Sequence, residues 1–220
     1  LIRRTWLVPS GPIRDLVEWV ERAGCIVVHC DFAALKVDGF TVQIPDMPPC
    51  IFLNRNMPAD RQRFSLAHEL GHVVMHQVPS PDMENEANVF ASALLMPARD
   101  LRPQLSSRRL TVQTLAALKP VWRTSMAALL YRAKQIGAIT DNQSQYLWRQ
   151  MSSMGYRKAE PPELDLKVEM PTVLPEIVRL HIEELGYDVS DLAQALRSSE
   201  EDLRSLHPLP QASQRLRVVK

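Results

Sequence analysis

No apolar run in the 220-residue chain approaches the roughly 18 residues that a membrane-crossing helix needs, which argues against a helical span in this stretch. The opening Leu1-Ile2-Arg3-Arg4-Thr5-Trp6 lacks a methionine and a hydrophobic h-region. It reads as part of a longer protein without a secretory signal. Cysteine is scarce. Cys25, Cys30 and Cys50 are odd in number and show no C-x-x-C spacing, which speaks against a disulfide framework. Buried thiols in a reducing compartment, the cytoplasm, are the expectation. Internal repeats and low-complexity tracts are also missing.

What remains is ordinary for a soluble globular protein: 45% hydrophobic and 23% charged residues, enough for one large domain or two small ones around a buried core. The net charge of +1 hides an uneven distribution. Residues 1–100 hold 9 Lys/Arg against 12 Asp/Glu, and residues 159–220 hold 7 against 12. Residues 101–158 hold 10 against Asp141 alone. The middle of the chain is therefore basic between two acidic flanks.

Hydrophobic spacing predicts an opening helix from Pro12 to Ala23, with Gly24 as its stop. Three β-like runs follow, at Cys25 to His29, Phe40 to Ile44 and Cys50 to Asn54, close enough to form a small antiparallel sheet. A helix with Asp60 as its N-cap runs to about His76, and a second runs from Asp82 to Leu95, ended by Met96-Pro97. Thr111 to Trp122 and Ser125 to Ile136 resemble a helix-turn-helix, with a third helix from Asn142 to Met154. Glu160-Pro161-Pro162 marks a linker. Helices are expected at Pro175 to Gly186 and Ser190 to Leu206 in the acidic tail, with a frayed end from Pro208 to Lys220.

The helix before His76 contains His68-Glu69-Leu70-Gly71-His72, an H-E-x-x-H sequence. Residues four apart lie one turn apart on one face, so both imidazoles can reach one ion. Glu69 lies about 100° around the helix, poorly placed to ligate but well placed to take a proton from a water at a zinc ion. Gly71, inside the helix at a propensity cost of about 1 kcal/mol, suggests close packing or room for a substrate backbone. A tetrahedral catalytic site needs a third protein ligand. His76 fits poorly, because eight helical residues rise about 12 Å; it is expected to be structural or to lie behind the ligands. The following helix offers Glu84 and Glu86. Periodicity does not separate them, since both lie about equally far from the centre of the face formed by Ala87, Phe90, Ala91 and Leu94.

The stretch R-Q-R-F-S-L-A-H-E-L-G-H-V-V-M-H, followed by E-N-E-A-N-V-F-A-S-A-L-L-M-P, closely resembles the ImmA/IrrE family of metallopeptidases. The likeness is dense from about Val37 to Pro97. It continues more loosely through Trp122 to Ala133, Tyr146 to Met151 and Arg157 to Pro162. The resemblance implies a small thermolysin-like zinc peptidase in which the glutamate opening E-A-N-x-F-A is the third ligand. That residue is Glu86 here, with Glu84 as the fallback. It further implies a bacterial regulatory role, the cleavage of a helix-turn-helix repressor, and in many members an N-terminal DNA-binding domain.

The expected architecture is α+β. A zincin-like metallopeptidase unit over 1–97 packs its small antiparallel sheet on the H-E-x-x-H helix. A basic, helix-turn-helix-like segment over 98–158 and an acidic helical tail over 159–220 follow. The expected site is Glu69 as catalytic base with zinc on His68, His72 and Glu86. No oxyanion stabiliser stands out among Tyr131, Tyr146, Tyr156 and His181. Two other functions compete with a cytoplasmic zinc endopeptidase. One is a zinc-containing regulator that acts by binding alone; the other is a DNA-binding factor using Arg108, Arg109 and Arg123. The basic segment has a plainer use too, which is to pack against the acidic flanks.

Overall fold

Asp15 starts the first long helix by accepting a hydrogen bond from the Glu18 amide, 2.9 Å away, which satisfies one of the free N–H groups of the first turn. The computed structural model describes residues 2–33, 36–76, 78–106 and 110–206. Arg108, Arg109 and the expected frayed end from Pro208 lie outside the described residues. In chain order the elements begin with α1 (Ile2–Thr5), α2 (Leu16–Arg22), β1 (Ile26–Cys30), β2 (Gly39–Val42), β3 (Cys50–Asn54), α3 (Ala59–Met75) and α4 (Met83–Leu95). Then come α5 (Ala98–Ser106), α6 (Val112–Trp122), α7 (Met126–Gln135), α8 (Asp141–Ser153), α9 (Val173–Glu183), α10 (Val189–Leu196) and α11 (Glu200–Leu206).

The class is α+β, as the sequence suggests. The sheet is mixed rather than antiparallel throughout. Its order is β1-β3-β2, with β2 antiparallel to β3 and β1 parallel to it. In the central strand β3, Ile51 and Leu53 are fully buried on one face, and Phe52 lies half-buried on the other. The hairpin formed by β2 and β3 thus inserts β3 between β2 and β1.

Alternation divides the sheet into two faces. Val27, Ile51 and Leu53 join the core with Leu66, Ala67 and Leu70 of α3. Phe40 and Phe52 are register partners, and their rings stack with centroids 4.9 Å apart. On the β2 edge, Gly39 allows a close approach. A β-carbon there would come within 2.9 Å of the Phe52 carbonyl oxygen and 3.6 Å of Glu69 Cγ. The edge strand therefore lies directly beside the H-E-x-x-H sequence.

Helix α3 begins at Ala59 with Pro58 at its N-cap, so Asp60 stands in the first turn instead of capping it. Its carboxylate there meets the buried Lys119 ammonium at 2.7 Å. Helix α4 packs along α3, and the two lie close together at Gly71. A β-carbon on that residue would sit 3.2 Å from Ala87 Cα and 3.1 Å from the Phe90 ring. Close packing, one of the two expected reasons for this glycine, accounts for it.

The helices α5 to α8 share this core. Leu101, Leu115, Trp122, Leu129 and Met151 belong to the same apolar cluster as Leu66, Leu70 and Leu95. Helix α5 was not anticipated, and the single helix expected over 190–206 is two. Arg197 adopts a left-handed conformation, φ 51°, and ends α10. Helices α9 and α11 lie against β1. The chain leading to α9 is fastened by two buried carboxylates. Glu169 accepts from the Leu16 amide at the start of α2, and Glu21 accepts from the amides of Thr172 and Val173 at the start of α9.

Candidate metal centre

His68 and His72 project from one face of α3 with their Nε2 atoms 3.0 Å apart. Each is held from behind through Nδ1. His68 Nδ1 lies 3.1 Å from the Asn88 amide oxygen, which can only accept, so the ring carries its proton on Nδ1 and leaves a lone pair on Nε2. His72 Nδ1 lies 2.9 Å from His76 Nδ1, and His76 Nε2 lies 2.9 Å from a Glu86 oxygen. A carboxylate also only accepts. With both histidines neutral, His76 donates from Nε2, His72 donates to it from Nδ1, and His72 Nε2 is left with its lone pair.

The Glu84 carboxylate closes the cluster, with one oxygen 3.3 Å from His68 Nε2 and the other 3.4 Å from His72 Nε2. Three acceptors therefore converge with no donor between them, an arrangement that needs a cation. Burial first, then the charge of His68, push the His72 imidazolium down from its ordinary value, and Glu84 and Glu69 only partly oppose them. A divalent metal suits the donor set. Two ligand atoms each about 2.0–2.2 Å from one tetrahedral ion lie about 3.3–3.5 Å apart, close to the spacings found here. Among the described residues, His68, His72 and Glu84 are the group of ligating side chains that could share such an ion.

The structure brings Glu84, rather than the expected Glu86, to the paired rings. Both sit in the first turn of α4, but the α3–α4 crossing sends Glu84 towards the cleft and Glu86 towards His76. Glu86 and His76 stand one layer behind the cluster. His76 follows the last residue of α3 as its C-cap, and its ring is buried.

Glu69 lies on the cleft side of the helix, where its Oε2 accepts a 2.8 Å hydrogen bond from Thr41 Oγ1 on β2. Between that edge strand and α3 opens a cleft of about 690 Å³, bordered by Lys36, Val37 and Phe40 on one side and by Phe64, Val73 and Met83 on the other. Glu69 and the three converging groups all line it. Tyr131, Tyr146, Tyr156 and His181 are not among the residues lining the cleft. The Tyr146 phenol is bound to Gln150, and His181 Nδ1 is bound to the Ile177 carbonyl.

Sequence reasoning missed Asn88 and Thr41. The signal for Asn88 was present: it follows Glu84 by four residues, so the two share a face of α4. Thr41 carried no such signal, because its role depends on where β2 docks.

The family model of the peptidase M78 family, described as the IrrE N-terminal-like domain, matches residues 20–134. The chain belongs to this family. The matched stretch includes the three strands, α3, α4 and the helices through most of α7. Membership supports a metallopeptidase-type function and implies a bound metal and a protein substrate. Among curated proteins, no match to the chain was found. No helix among the described residues is long and apolar enough to cross a membrane.

The basic segment is largely spent on internal contacts. Lys119 is buried between Asp60 and Glu160, and Arg123 reaches Glu169 at 3.3 Å. Arg132 is buried and donates to the Met96 carbonyl at 2.9 Å, while Lys134 faces Asp141 at 3.3 Å. Lys119 and Arg123 make the contacts expected of a basic segment packed against acidic flanks, whereas Lys134 pairs within the segment and Arg132 with a backbone carbonyl. In α7, the second helix of the helix-turn-helix-like pair, both long basic side chains have partners within the chain.

Proposed function

We propose that the chain is a zinc-dependent endopeptidase that cleaves a regulatory protein in the cytoplasm. In this reading His68, His72 and Glu84 hold the metal, and Glu69 is the general base. The observation that carries it is the convergence of two imidazole lone pairs and one carboxylate beside a glutamate that is itself fixed by Thr41. Zinc held there supplies Lewis acidity and lowers the pKa of water to about 7.

The chain's own groups do the rest. Glu69 accepts the proton of the attacking water and returns it to the leaving amine nitrogen as the peptide bond breaks. Thr41 Oγ1 donates to one Glu69 oxygen and so leaves the other free to face the water. The side chains of Val37, Phe40, Phe64, Val73 and Met83 form apolar walls that exclude bulk solvent from the bound peptide. A helix-turn-helix repressor as substrate rests on the likeness to the ImmA/IrrE family; the free thiols of Cys25, Cys30 and Cys50 agree with a reducing compartment.

The test is the pair His68→Ala and Glu69→Gln. His68→Ala is expected to lose the metal and all cleavage. Glu69→Gln is expected to retain one zinc per chain and cleave no repressor substrate. Proteolysis by Glu69→Gln at the wild-type rate contradicts the reading.

A further inference from the structure

We propose that Glu86 and His76 form a relay that orients His72 without touching the metal, so that both are positioning residues of the metal centre. The inference rests on the reading in which Glu84 is the third ligand. Its starting point is the burial of His76, whose side chain is only 5% exposed although it belongs to a polar residue at a helix end. A buried imidazole is tolerated when its polar atoms are satisfied, and both of its nitrogens are. Nε2 meets Glu86 at 2.9 Å and Nδ1 meets His72 at 2.9 Å.

The two nitrogens point to opposite sides of the ring, so His76 cannot bring Glu86 and His72 to one ion. It can only transmit orientation. The Glu86 carboxylate demands a donor and fixes the proton of His76 on Nε2. The bare Nδ1 then demands a donor from His72, and this turns the His72 lone pair at Nε2 towards His68 and Glu84. His68 receives the same service from Asn88 in one step. The two ligating rings thus have supports of different strength. Behind His68 is a neutral amide, and behind His72 is an anion acting through a second imidazole. Groups placed behind metal ligands in this way hold the ring and its tautomer, and their loss costs about 10–100-fold in metal affinity.

The experiment measures zinc affinity by competition with a chromophoric chelator. It compares the wild-type chain with His76→Ala, Glu86→Ala, their double variant and Glu84→Ala, and follows folding by circular dichroism. Glu86 is half exposed, so its replacement preserves the fold even if that of His76 does not. The relay predicts about 10–100-fold weaker binding in His76→Ala and in Glu86→Ala, with one zinc still bound at saturation. It also predicts a double variant no weaker than His76→Ala alone, because Glu86 acts only through His76. In ¹⁵N spectra of the metal-free chain, His72 carries its proton on Nδ1 in the wild type and loses that preference in His76→Ala.

Unchanged affinity in Glu86→Ala overturns the relay. So does a further loss of metal when Glu86→Ala is added to His76→Ala, which is the mark of a direct ligand. Wild-type zinc binding in Glu84→Ala removes the underlying ligand assignment instead, and the two failures are separately visible.

Discussion

Thr41 Oγ1 stands 2.8 Å from Glu69 Oε2, so the edge strand of the sheet grips the carboxylate assigned here as the general base. Hydrogen bonds to charged groups contribute about 1.5–3 kcal/mol. Thr41→Val should therefore lower kcat by roughly 10–100-fold at unchanged zinc content. Thr41→Ser, which keeps the hydroxyl, should recover most of the rate. Steady-state kinetics with a cleavable repressor, alongside metal analysis, would check this. An unaltered kcat in Thr41→Val would remove Thr41 from the mechanism.

Gly71 sets how closely α4 approaches α3. In Gly71→Ala the new methyl group meets Ala87 Cα and the Phe90 ring, so α4 must shift by a few tenths of an ångström. The strain costs about 1–3 kcal/mol, and the better helix propensity of alanine offsets about 1 kcal/mol of that. Global stability should fall by no more than about 2 kcal/mol. Zinc binding should weaken nonetheless, because Glu84, Glu86 and Asn88 all ride on the displaced helix. Denaturation and chelator competition on the same sample would separate the two effects; undiminished zinc affinity would mean that α4 does not set the site.

Lys119 is a separate matter of stability. Its ammonium is buried between Asp60 at 2.7 Å and Glu160 at 2.8 Å, and Glu160 also accepts from the Ala127 amide at the start of α7. One cation thereby ties the first turn of the metal-binding helix to the middle helices. Lys119→Met strands the buried Asp60 carboxylate and the partly buried Glu160 carboxylate and should cost about 3–5 kcal/mol.

The same group predicts a pH dependence. Burial lowers the Lys119 pKa, but the hydrogen bonds to Asp60 and Glu160 outweigh it, and the net shift is upward from 10.5. The folded state thus holds this proton more tightly than the unfolded chain. The stability it contributes is fully present below pH 10.5 and is lost as the pH rises through the raised folded value. Urea denaturation of wild type and Lys119→Met from pH 8 to 11.5 should show a gap that narrows only at the alkaline end. A gap constant across that range would mean that the ion pairs contribute little.

The readable part of the site was its helical part. His68 and His72 repeat at the spacing of one turn, and Glu69 follows from the same arithmetic. Periodicity could not choose between Glu84 and Glu86, because both flank the apolar face of α4 and both are glutamates. The choice depends on the rotation of α4 about its own axis where it crosses α3, and contacts at Gly71, Ala87 and Phe90 set that rotation. Asn88 offered the missing phase, since the residue that supports His68 lies one turn after the one that approaches it.

Strand pairing had a similar limit. Three β-like runs close together suggested a small antiparallel sheet, but which strands pair and in which direction is set by how they dock, so the parallel pairing of β1 with β3 was not legible. The basic run likewise could not reveal from composition that Lys119, Arg123 and Arg132 point inward, to Asp60, Glu169 and the Met96 carbonyl.

The account depends most on three ligand atoms meeting at one ion. Anomalous scattering at the zinc edge from crystals of the zinc-loaded chain tests this directly. The expected result is one peak bonded to His68 Nε2, His72 Nε2 and a Glu84 oxygen at about 2.0–2.2 Å, with Glu86 on His76 and out of bonding range. A peak coordinated by Glu86, or none between the two imidazoles, would contradict it.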